Sequence, residues 1–204
     1  DIAAQVDKRH QKLAEARAAL ATLKRHARLG RLLEIGVGAG YFLVEARREG
    51  FDAEGLDINA HFVRFARDGL GLRVTEGTLT SAALPNEAFD VVFHRNVLSH
   101  LAYPLEELAK MRALLRPGGV MLFETGNVAE LPGASFRGTD ALALPDHLFH
   151  FSEATLRTLL DRTGFRCVEV TRRAVLGHLP AVTRLRRAFL RRQVSAPKKE
   201  RTPF

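Results

Sequence analysis

Three glycines, Gly36, Gly38 and Gly40, alternate with Val37 and Ala39 directly after the short apolar run Leu32, Leu33 and Ile35. A glycine-rich turn that leaves a strand and enters a helix lets a ligand approach the backbone. Gly36 and Gly38 carry no Cβ to hold the ligand off, and Gly40 permits close packing of helix on strand. Asp57 follows 21 residues after Gly36, at the end of a second strand-like segment. In a doubly wound sheet that spacing places its carboxylate at the same crevice, where it can accept hydrogen bonds from both hydroxyls of a ribose. His94, His100, His147 and His150 fall in segments expected near the same sheet edge. An imidazole with an unperturbed pKa of about 6.5 can take the proton of an acceptor hydroxyl at neutral pH. His147 and His100 are the candidate catalytic bases, set against the competing reading of a hydrogen-bonded structural histidine. His150, beside a helix cap, is expected to be structural.

The elements that must position these residues are legible as an alternation. Strands are expected at Leu32–Ile35, Ala53–Asp57, Leu72–Thr75, Phe89–Phe93 and Gly119–Phe123. Helices are expected from Gly40 to about Glu49, from the Asn59 cap to about Asp68, and over Leu105–Leu115. A further helix starts at the Ser152 cap and stops at Gly164, and Phe165–Val170 returns as a strand. This alternation predicts an α/β fold, a doubly wound and mostly parallel sheet of about seven strands covered by helices on both faces. Residues 3–28 carry Val6, Leu13, Ala16, Leu20, Leu23 and Ala27 near a helical stripe, which reads as one amphipathic helix docked on the body. Pro180 opens a basic amphipathic helix with Val182, Leu185 and Phe189 on one face, and Gln193–Ala196 is a candidate edge strand. The whole is read as one domain: an N-terminal lid helix over 1–29, a core over 30–171, and a basic C-terminal segment over 172–204.

Glycine spacing separates two classes of ribose-bearing cofactor. A dinucleotide fingerprint requires Gly-x-Gly-x-x-Gly, whereas this chain has Gly-x-Gly-x-Gly with Glu34 two positions before the first glycine. Glu34 to Leu43, Gly55-Leu56-Asp57-Ile58, Glu76-Gly77-Thr78-Leu79, Phe89-Asp90-Val91-Val92 and Leu115-Arg116-Pro117-Gly118-Gly119 follow one another in order. That series resembles the motifs of the class I, Rossmann-like S-adenosylmethionine-dependent methyltransferases, and most of all the ubiquinone/menaquinone-type small-molecule group. The likeness covers roughly residues 31–171.

The resemblance implies S-adenosyl-L-methionine as cofactor and S-adenosyl-L-homocysteine as product. It implies that Glu34 and the backbone of Gly36 and Gly38, in the turn closed by Gly40, receive the methionine end. Asp57 would hold the ribose, Ile58 would pack on the adenine, and Thr78 and Leu79 would line its polar edge. Arg95 would lie beside the methionyl group. Many relatives carry Asp at the position of Thr78, and Glu before the histidine where this chain has Ser99-His100. The implied activity is methyl transfer to a small-molecule acceptor, at an oxygen, beneath a lid formed by the N-terminal helix and the segment from Gly126 to His150. A nucleic-acid methyltransferase, a cofactor-binding protein without catalysis, and a nicotinamide enzyme are the alternatives. Against the first stands His94-Arg95-Asn96-Val97 in place of the Asn/Asp-Pro-Pro-Tyr/Phe element of amino-methylating nucleic-acid enzymes.

Charge supports the same division. The net +8 over 204 residues is unevenly placed: residues 1–29 carry +4, residues 30–171 carry −5, and residues 172–204 carry +9. The positive ends therefore say nothing about the chemistry of the core. They suit solvent, an anionic acceptor or an anionic surface. A single cysteine, Cys167, excludes an intrachain disulfide framework and fits a reducing compartment. No zinc-type ligand cluster is present, and no apolar run approaches the roughly 18 residues of a membrane span. A cytoplasmic protein acting on a small molecule, and not on nucleic acid, is the expectation.

Overall fold

Five strands pair in the order β3-β2-β1-β4-β5, every pairing parallel: β1 (Arg31–Ile35), β2 (Asp52–Asp57), β3 (Val74–Glu76), β4 (Phe89–Arg95) and β5 (Leu115–Glu124). The computed structural model describes residues 2–126 and 147–172. The chain divides into two compact units, Asp1–Cys167 and Val168–Phe204, and the elements described here all belong to the first. From β1 the chain winds outward through β2 and β3, then crosses back to place β4 on the other side of β1. The β1/β4 boundary is thus the switch point of the sheet, where open α/β folds place their ligands.

Successive side chains of a strand point to opposite faces, so adjacent apolar residues feed two cores. Leu32, Val91 and Phe93 pack with Ala16, Leu20, Leu23, Phe42 and Leu43 on one face, while Leu33, Val92 and Phe89 pack with Leu108 and Met111 on the other. The helices are α2 (Arg9–His26), α3 (Tyr41–Arg48) and α5 (Pro104–Leu114). The Phe42 and Phe93 rings stack at 3.7 Å between centroids. Docking of α2 on the body follows its buried stripe Ala16, Ala19, Leu20 and Leu23, reinforced where Arg17 Nε donates to the buried Glu45 at 3.2 Å.

Several boundaries differ from expectation. The single helix over 3–28 is two: α1 (Ile2–Asp7) ends at Lys8, whose φ of −92° and ψ of 10° depart from the helix, and α2 restarts at Arg9. The third strand begins at Val74 rather than Leu72. Asn59 caps α4 (Ala60–Arg64) as expected, accepting from the N–H groups of His61 and Phe62, but the continuation is a single π turn, Phe65–Gly69. Strand β5 begins at Leu115 and absorbs Pro117-Gly118 as a bulge, the register passing from Phe89↔Leu115 to Val91↔Val120. Helix α6 (Glu153–Arg162) starts on a capping box of Ser152 and Thr155.

Five strands stand among the described residues, against about seven expected. Phe165–Val170 forms no strand. Its Val168 and Val170 side chains are exposed, and the Phe165 amide closes the end of α6 on Leu160 O at 2.9 Å. The candidate strand Gln193–Ala196, the basic helix from Pro180 and residues 127–146 of the expected lid lie outside the described residues. Among the described residues no helix is long and apolar enough to cross a membrane.

His94, next to the last residue of β4, is fully buried and stacked on Phe123 at 5.2 Å, with neither ring nitrogen partnered. Desolvation pushes its pKa down to about 3, which keeps the ring neutral at pH 7. Because the unfolded chain takes the proton near 6.5 and the folded one near 3, this residue's contribution is intact above pH 6.5 and is lost as pH falls toward 3. The slope approaches about 1.4 kcal/mol per pH unit. Acid unfolding of His94→Leu, followed by circular dichroism, should be flatter than wild type between pH 6.5 and 4.

Candidate functional site

All three glycines of the β1–α3 turn have left-handed backbone, with φ of 76°, 53° and 82°, which only glycine adopts without strain. The space beside them differs. A Cβ on Gly36 would stand 2.5 Å from Val97 Cγ2, and one on Gly40 2.6 Å from Leu72 Cδ1. These two glycines make room for the protein's own side chains, and the amide of Gly36 is spent on Leu56 O at 2.8 Å. Only Gly38 keeps an open side, its nearest neighbour there being the Gln5 carboxamide at 3.7 Å. The ligand approach expected over both Gly36 and Gly38 is therefore narrowed to Gly38.

Asp57, buried at the end of β2, joins this turn to the next. Its Oδ2 accepts from Gly38 N at 2.8 Å and its Oδ1 from Asn59 N at 2.8 Å. Each oxygen retains a lone pair for a further donor. Beside it the Ile58 side chain is 74% exposed, an apolar surface without a covering group. Thr78 spends its hydroxyl on its own turn, accepting from Thr80 N at 3.2 Å and Ser81 N at 3.1 Å. Leu79 packs, half-buried, against the core cluster of Leu33 and Val92.

Glu34 lies on β1, 4% exposed, with Oε2 unpartnered. Helix α3 starts on Gly40, which offers no side-chain cap. The N–H of Leu43 in its first turn instead donates to the Glu34 carboxylate, one of the orphan amides of that terminus finding an anion. Burial raises the pKa of Glu34 well above its ordinary 4.5, Arg95 opposes that rise, and the Asp57 charge adds to it. Arg95, at the end of β4, donates from Nε to Glu124 at 2.7 Å, from NH1 to Glu15 Oε2 at 3.2 Å and from NH2 to Glu15 O at 3.3 Å. The site edge thus carries a guanidinium, a buried carboxyl and two flanking carboxylates, an arrangement suited to a zwitterion.

The turn after β4 brings the histidines together. Val97 contacts Gly36, and Ser99 O accepts from the N–H groups of Leu148 at 2.8 Å and Phe149 at 3.2 Å. His100 and His147 lie 4.8 Å apart between ring centroids, and His150 meets His147 edge-on at 6.0 Å. Nδ1 of His147 is buried without a partner. Among the described residues no group of three His, Cys, Asp or Glu side chains is placed to hold a metal ion. Glu15, Gln5 and Glu124 carry no motif in the sequence, and only the packing of α1, α2 and β5 reveals them.

Comparison with known proteins matches residues 6–170 to a methyltransferase domain family. A ubiquinone biosynthesis O-methyltransferase of Roseobacter denitrificans is 30% identical over 155 residues, 66% of this chain and 62% of that one. A tRNA U34 carboxymethyltransferase of Pseudoalteromonas translucida is 32% identical over 146 residues, 68% of this chain and 45% of that one. The chain thus spans less than two thirds of these relatives' lengths. A solved S-adenosylmethionine-dependent methyltransferase from Mesorhizobium loti superposes with a TM-score of 0.64 at 22% identity, covering 89% of this chain and 92% of that one, and so shares the fold.

The Glu34 geometry sets a sign for stability. A carboxyl whose folded pKa is raised contributes stability that is present below its unfolded value and lost as pH rises through the folded one. Glu34→Gln keeps an oxygen for the Leu43 amide and carries no charge. In chemical denaturation its stability relative to wild type should rise as pH increases from about 4.5; a constant difference would return the Glu34 carboxyl to an ordinary pKa.

Proposed function

The chain belongs to the class I, Rossmann-like S-adenosylmethionine-dependent methyltransferases, and from that premise we propose that it methylates an oxygen of a small-molecule acceptor. The observation that carries the reading is Glu34, a buried carboxyl with a free oxygen, facing Arg95 at the one open glycine of the switch point. These residues fit the cofactor's chemistry. Glu34 takes the ammonium of the methionine end and Arg95 its carboxylate, with the Gly38 backbone close enough to pack against the chain between them. Asp57 accepts from the ribose hydroxyls while still holding the two turns, and Ile58 gives the adenine an apolar face. Thr78 and Leu79 border the adenine edge through backbone and apolar contact, the Thr78 hydroxyl being committed to its own turn.

The bound cofactor supplies a methyl group already activated on a sulfonium. What remains for the protein is placement, where a well-held alignment contributes up to about 7 to 11 kcal/mol, and removal of a proton. His147, with His100 against its ring, takes the proton of the acceptor hydroxyl as the oxygen–carbon bond forms. The buried, unpartnered Nδ1 of His147 supports the pair as a base that has a nitrogen to offer. The N-terminal helix α2 acts as the lid, tied to the site through Glu15 on Arg95. The likeness to ubiquinone biosynthesis O-methyltransferases supports an oxygen acceptor. The likeness to a tRNA U34 carboxymethyltransferase makes RNA the less favoured second reading; steep salt dependence of RNA binding would mark it.

Mass spectrometry of ligands carried through purification should find S-adenosylhomocysteine, and a companion mass would identify the acceptor class. Asp57→Ala should weaken S-adenosylhomocysteine binding by on the order of a hundredfold or more in calorimetry, two charge-assisted hydrogen bonds being lost. His147→Ala should lower kcat by about a hundredfold or more while leaving the cofactor affinity in place, the usual range for a general base. Wild-type turnover in that variant would end the assignment.

A further inference from the structure

Nothing in residues 3–28 breaks a helix: the segment contains neither glycine nor proline. Yet the helix is interrupted at Lys8, where a turn separates α2 from α1. Of its described residues only Ile2 and Gln5 are even half-buried, the other four being exposed. They are one turn apart and share a face.

That face spans the crevice between β1 and β2. Ile2 lines a shallow cavity of about 330 Å³ with Asn59, His61 and Phe62, immediately after Asp57 and the exposed Ile58. Gln5 places its carboxamide over the open side of Gly38, with Nε2 3.7 Å and Oε1 4.0 Å from the position a Cβ would take. Gly38's own amide is already held by Asp57, and the Gln5 carboxamide forms no hydrogen bond among the described residues. A half-buried amide with donors and an acceptor to spare, aimed at the one glycine left open, is placed for a polar ligand.

We propose that α1 forms the outer wall of the cofactor crevice, with Gln5 hydrogen-bonding the cofactor above Gly38 and Ile2 closing an apolar side beyond Asn59. The proposal rests on the S-adenosylmethionine reading of the site and adds two binding residues to it. It also gives α1 a different task from a roof over the acceptor: the break at Lys8 turns this helix onto the cofactor, leaving α2 to brace Arg95. A carboxamide suits the task because it can donate to a carboxylate or accept from a hydroxyl without bringing a charge beside Glu34 and Asp57.

The test uses the whole chain and S-adenosylhomocysteine as probe. Gln5→Ala should raise its Kd by about three- to tenfold in calorimetry, the worth of one neutral hydrogen bond, with the melting temperature of the ligand-free protein unchanged. In wild type, hydrogen exchange of residues 2–8 should slow when the probe is added, and Ile2→Asp should abolish that protection. A wild-type Kd in Gln5→Ala together with unprotected α1 amides would overturn the proposal while leaving the cofactor site standing. Failure of the wild-type chain to bind the probe at all would instead bring down the reading of the site, and the proposal with it.

Discussion

Asp57 is the constraint on which the site is built. Its two oxygens hold one backbone amide each, Gly38 in the turn after β1 and Asn59 in the turn after β2. Two loops leaving the adjacent strands β1 and β2 are thereby fixed against one another. A hydroxyl or an amide side chain at position 57 could not do this as well, because a carboxylate accepts at both ends and its charge strengthens each bond. Asn59 then extends the constraint by capping α4, and the left-handed turn through Gly36, Gly38 and Gly40 brings α3 against the sheet.

Electrostatics at the same edge are unbalanced in a useful way. Glu15 and Glu124 pair with the guanidinium of Arg95, which is 16% exposed and lies 5.6 Å over the Phe93 ring, while the buried Glu34 feels both Arg95 and the Asp57 charge. Arg95 satisfies Glu15 and Glu124 directly and reaches Glu34 only through space, so one buried carboxyl oxygen is left over. Burying a carboxyl without a partner is costly, and the fold tolerates it where a cationic group of a ligand would complete it. The neighbouring His94 is a different case: its two orphaned nitrogens are buried within the core, its ring stacked on Phe123, where desolvation makes the residue a contributor to pH-dependent stability.

Packing supplies the rigidity that such a site requires. The Phe42–Phe93 stack joins the first turn of α3 to the strand that carries Arg95, and Val97 fills the space that Gly36 leaves. These contacts join the histidine turn after β4 to the glycine turn after β1. Ser99 O, by accepting from Leu148 and Phe149, ties the segment of His147 to the same turn.

The sequence by itself determined the parts of this protein that depend on short-range rules. Apolar runs with glycine punctuation marked the strands and the parallel order, and the spacing of Glu34, the glycines and Asp57 marked the crevice, because strand, turn and helix are each encoded within a few residues. Asn59 and Ser152 as caps were equally legible. What tertiary structure alone decided is long-range. The break at Lys8 has no glycine or proline behind it. The pairing of Arg95 with Glu15, 80 positions away, and the meeting of His100 with His147 depend on which elements the sheet order makes neighbours. That Phe165–Val170 forms no strand is likewise a long-range outcome, since alternation is written in the residues but a ladder needs a partner.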